Sequence, residues 1–212
     1  MIELLHVLPA FAITVLIIVM VPGLGVAMVL RQSILSGKEA AFYSVIGNST
    51  GLIIWGILSG VGLSAIFQAS PTAFNILKWA GVTYLTILSI QTLFQLKNQA
   101  GKFEFEEGHK ARSFGPAFRI GITTNLTNVK AAVFSVGLVP QFVPNNFNLG
   151  WGIFILCCIW AMISMSWYSL MITVVDKSSK WIQQPKIRRA LTAFSAIGIA
   201  VLAIGLAFTN AN

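Results

Sequence analysis

Residues 10–30 read AFAITVLIIVMVPGLGVAMVL, and none of these side chains is charged. A helix rises about 1.5 Å per residue, so a run of this length is what it needs to cross a hydrocarbon core about 30 Å thick. Pro9 suits the first turn of such a helix, and Arg31 closes it. No basic region precedes the run, Glu3 is acidic, and the apolar stretch is too long for a signal peptide. A retained membrane span is therefore expected rather than a cleavable leader. The architecture is decided by the break inside it, Pro22-Gly23-Leu24-Gly25, about twelve residues from the start of the span.

Working outward, the rest of the 212 residues belongs to the same solvent. Charged side chains make up 9% of the chain and hydrophobic ones 56%, against about 25% and about 45–50% in soluble domains. Mean hydropathy is +0.81. Such a chain cannot cover a soluble globule with polar groups, and it is too apolar for disorder. A transmembrane barrel would alternate in segments of about ten residues, whereas these apolar runs are continuous. The reading is an all-α polytopic protein of six transmembrane helices in a single transmembrane domain, 1–212. The expected spans are 10–30, 40–68, 74–96, 117–139, 149–175 and 190–208.

Counting Arg119 at the edge of the fourth span, twelve of the fourteen basic residues fall between the first and second, third and fourth, or fifth and sixth spans. The two intervening connections have none, so both termini are expected outside and the 97–116 stretch in the cytoplasm. Net charge is +8, but this placement speaks for orientation in an inner cell membrane, not for nucleic acid. Trp79 and Trp151 then fall at the outer interface and Trp181 at the inner one, with Lys78 close enough to the outer interface to snorkel.

Three spans per half make residues 1–96 and 117–212 candidate inverted repeats, a common transporter architecture. The second half carries its own break, Asn125-Leu126-Thr127-Asn128-Val129-Lys130, eight to thirteen residues into its first span. Both breaks are expected near the midplane, with a binding site between them.

Lys130 is the most informative residue, because a lysine at mid-membrane costs about 2.5–3.5 kcal/mol on insertion scales. The six acids are expected in loops or at span ends. Water, the amides of Asn125 and Asn128, or an anionic ligand must then solvate the charge, unless it reaches an interface or is neutral. Pro22 removes a backbone donor, while Gly23 and Gly25 let a substrate approach the backbone. A plain packing kink is the competing reading. Gly47 with Gly51 and Gly56 with Gly60 have the spacing of close helix contact. Asn48 among them could line a cavity, and Trp55 could do the same or face lipid. Cys157 and Cys158 read as small apolar filler. Walker, zinc-protease and hydrolase-elbow motifs are absent from the sequence. No enzyme activity, cofactor or metal is expected.

At these motifs the chain resembles the LysE/RhtB family of bacterial amino-acid exporters. The resemblance is carried by Pro22-Gly23, Val29-Leu30-Arg31-Gln32-Ser33, Gly37, Gly47, Gly51 and Gly81-x-x-Tyr84-Leu85. In the second half Gly121, Asn125, Asn128, Lys130-Ala131-Ala132, Phe134 and Pro140-Gln141-Phe142-Val143 continue it. The family usually has Pro-Gly-Pro where Leu24 follows Gly23, and Asn-Pro-Lys where Val129 follows Asn128. Many relatives have a smaller polar residue or His at the place of Trp55. The resemblance implies a six-helix secondary exporter of small metabolites, typically amino acids, driven by an ion gradient. A neutral amino acid is the expected substrate, bound by Pro22, Gly23, Gly25, Asn48, Trp55, Asn125, Asn128 and Lys130. The rival readings are export of another small metabolite or toxic compound, and a non-transporting assembly subunit. Homo-oligomerisation is left open.

Overall fold

The computed structural model describes residues 2–20, 23–69 and 113–182, with scattered helical positions between 72 and 94 and between 193 and 204. Every element among the described residues is helical, and the protein is an all-α polytopic membrane protein. Helix α1 is Ile2–Met20, α2 Leu24–Leu35 and α3 Lys38–Ala69. Helix α4 is Phe114–Leu126 and α5 Val129–Val133; the chain continues as a π-helical turn over Phe134–Leu138 and a 3-10 turn over Val139–Phe142. Helix α6 is Leu149–Ile182. Three of these, α1, α3 and α6, are long and apolar enough to cross a membrane. The expected third and sixth spans, residues 97–112 and Pro22 lie largely or wholly outside the described residues.

The expected breaks interrupt both helices, but the first helix starts earlier than anticipated. It begins at Ile2, and Pro9 lies inside it instead of in its first turn. Leu4 and Phe11 are buried in the core, so packing holds the extra two turns despite the proline. Nineteen helical residues therefore precede the first break, not the expected twelve, and thirteen precede the second. At the other end, α6 continues past Val175 through Asp176 and Lys177 to Ile182, since no glycine or proline stops it before Pro185.

Helix α3 is the centre of the molecule, packing most extensively on α6 and α4. Its glycines make both contacts. A Cβ at Gly56 would lie 2.7 Å from that of Cys157, and one at Gly60 would lie 2.8 Å from the carbonyl oxygen of Gly150, both on α6. A Cβ at Gly47 would collide with the carbonyl oxygen of Phe118 on α4, and one at Gly121 of α4 with the carbonyl oxygen of Ser44. Small residues at four-residue spacing thus let the backbones touch, which lipid-embedded helices need because no aqueous hydrophobic force drives them together. One continuous core joins α1, α2, α3, the α5 region and α6, with Phe11, Leu52, Phe134, Ile153 and Ile172 fully buried.

Candidate functional site

The two breaks meet. In a continuous helix the carbonyl of Ile18 would accept from the N–H four residues on, but residue 22 is a proline and has none. Lys130, from the second break, supplies the donor: its Nζ stands 3.2 Å from the Ile18 oxygen. Lys130 is placed there by two asparagines. The backbone N–H of Asn128 donates to the Asn125 carbonyl at 3.0 Å, closing α4. Asn128 then opens α5 as its N-cap, its side-chain oxygen accepting from the backbone N–H of Lys130 at 3.1 Å. Val129 stands in the first helical position after that cap, where proline is also favoured. The cap, not the residue after it, makes this break.

Beside this junction lies a small crevice, open at its mouth and enclosing about 20 Å³, room for about one water molecule. Ile18 and Val19 line it from α1, Asn48 and Leu52 from α3, and Asn125, Asn128, Lys130 and Ala131 from the second break. The Asn125 amide nitrogen donates to the Asn48 side-chain oxygen at 3.2 Å. Its own oxygen faces Gly51, where a Cβ would stand 2.7 Å away. Among the described residues, the side-chain amide nitrogens of Asn48 and Asn128 make no hydrogen bond. Two amide donors and an ammonium have the chemistry to hold an anion such as a carboxylate.

Four of the expected site residues, Asn48, Asn125, Asn128 and Lys130, are thus brought to one crevice. Trp55 is not among its lining; half-buried, it donates from Nε1 to the Asn125 carbonyl at 3.5 Å, behind the break. Gly23 caps α2, its carbonyl accepting from Ala27 at 2.9 Å, and it does not line the crevice. Its backbone is fully extended, a conformation open to any residue. Gly25 makes room for Tyr168, whose hydroxyl would lie 2.5 Å from a Cβ there. The sequence reading missed Trp160, Ser164 and Tyr168, which form the α6 wall. Their spacing of four was the available signal, but in an unbroken apolar helix it reads as packing.

Several known proteins are similar to this chain. The homoserine/homoserine lactone efflux protein of Salmonella typhi is 34% identical over 206 residues, 96% of each chain. Its counterpart in Salmonella typhimurium is 33% identical over the same length. An uncharacterized membrane protein of Bacillus subtilis, YrhP, is 24% identical over 207 residues, 95% of this chain and 98% of its own. No solved structure matches. A family described as LysE type translocator matches residues 16–210. Transport, not enzymatic catalysis, is the business of that family, and this chain, matched along nearly its whole length, belongs to it.

Proposed function

We propose that the protein exports a small neutral amino acid or amino-acid derivative across the cytoplasmic membrane as a secondary transporter. The observation that carries this reading is the meeting of two helix breaks at a crevice where Lys130, Asn48 and Asn128 present donors. The substrate carboxylate sits against those donors. The Salmonella relatives' names point to homoserine or its lactone as the first compounds to try.

Alternating access follows from inverted repeats, each a broken helix followed by a long unbroken one: α1–α2 then α3, and α4–α5 then α6. The proposed topology has six spans, both termini outside and 97–116 in the cytoplasm. Efflux from membrane vesicles loaded with a panel of amino acids, with and without a proton gradient, tests the function. Expected is gradient-dependent efflux of at least one neutral amino acid; none across the panel overturns the reading. For topology, a cysteine at position 108, in a background lacking Cys157 and Cys158, should resist an impermeant reagent in intact cells. Labelling from outside would reverse the proposed orientation.

A further inference from the structure

The α6 wall of the crevice has no part in holding a carboxylate, yet it is not plain packing. Trp160, Ser164 and Tyr168 recur every four residues and so share one face. Ser164 is 1% exposed and Tyr168 6%. Two of the buried serines, Ser44 and Ser135, satisfy themselves on the preceding turn, whereas Ser49 reaches across to the Ala161 carbonyl at 3.5 Å. Ser44 donates to Ala40 at 3.0 Å and Ser135 to Ala131 at 2.8 Å, and the less buried Ser33 and Ser166 do likewise. Ser164 makes no such bond, and among the described residues the Tyr168 hydroxyl makes none either. Both side chains are buried, yet neither oxygen is among the fully enclosed polar atoms, so the two hydroxyls open on the crevice with hydrogen-bonding capacity that a polar occupant can use. Gly25 clears the space the phenol occupies. Trp160 is braced edge-on by Phe134, ring centroids 6.3 Å apart, and supplies a flat apolar wall beside them.

We infer that Tyr168 and Ser164 read a hydroxyl on the substrate side chain, while Lys130, Asn48 and Asn128 take the carboxylate. The inference rests on the exporter reading above and adds the residues that set its selectivity. A site built to hydrogen-bond a substrate hydroxyl rejects the analogue lacking it far more strongly than an apolar pocket rejects a missing methylene.

The test is efflux from proteoliposomes containing the purified full chain, loaded with paired substrates differing by one hydroxyl: homoserine against 2-aminobutyrate, and serine against alanine. Expected is a preference of about tenfold or more for the hydroxylated member. In Tyr168→Phe and in Ser164→Ala this ratio should fall toward one. Reconstituted amount and thermal unfolding of each variant are measured alongside, and if one fails to fold the other decides. A parent without preference, or variants that keep the parent's ratio, would overturn the inference and leave the exporter standing. No efflux of any amino acid would overturn both.

Discussion

Helices α3 and α4 cross in two very different ways within a few turns. At one level Gly47 and Gly121 face one another so closely that neither has room for a methyl group. Ser44 there donates its hydroxyl to both Ala40 and Ala117, at 3.0 and 2.9 Å. One turn further along each helix stand Asn48 and Asn125. They share one hydrogen bond and border a crevice instead of closing it. The same helix pair is therefore backbone against backbone at one level and joined by two buried asparagine side chains at the next. Close backbone approach holds the pair together, and that stability supports a layer whose polar groups are not all engaged with one another.

The severest way to break this comparison is to enlarge the crossing. Gly121→Leu and Gly47→Leu should each cost about 3 kcal/mol, the upper end of the usual overpacking range, or more. The expected outcome is little folded protein in detergent by thermal unfolding. Gly121→Ala should already lower the transition, and an unchanged one would contradict the backbone contact. Next comes Lys130→Met in the crevice. Removing a charge-assisted bond worth about 1.5–3 kcal/mol should cut efflux tenfold or more, with the protein still assembled in the membrane. Lys130→Arg should also be impaired, since a planar fork does not replace a compact ammonium. Unchanged export kinetics in Lys130→Met would remove the carboxylate partner from the proposal.

Smaller effects sharpen the contrast. Asn125→Ala loses the amide bond to Asn48 and should cost about 1 kcal/mol of stability; a double-mutant cycle with Asn48→Ala should show the two coupled. Smallest of all is Val129→Pro, at a position whose carbonyl-side neighbour is already a helix and whose preceding residue, Asn128, has φ −81° and ψ 99°. That backbone is outside the α region that a following proline disfavours, so the expected change is neutral to about 1 kcal/mol stabilising, read in the same unfolding assay.

What was legible in the sequence follows from covalent chemistry. Proline and glycine in the first span, and asparagines around Lys130, betray helix breaks wherever they fall in an apolar run. Asn48, Asn125, Asn128 and Lys130 stood out because polar groups in such runs need a reason. The start of the first helix was misplaced because Pro9 looks like a helix start, and only the burial of Leu4 shows why the helix begins earlier. Trp160, Ser164 and Tyr168 escaped notice because tryptophan, serine and tyrosine are ordinary in a continuous membrane helix. Their meaning lies in which face meets the crevice, and spacing alone does not say which face that is.

The bond from Lys130 to the Ile18 carbonyl spans 112 residues of chain, and this has a consequence for biogenesis. At about 5–20 residues per second of synthesis, the first broken helix waits roughly 6–22 s for the lysine that caps it. Until then the Ile18 carbonyl has to be served by something other than Lys130, such as water, lipid headgroups or the insertion machinery. The bond across the first break thus forms only after the second half has been made as far as Lys130.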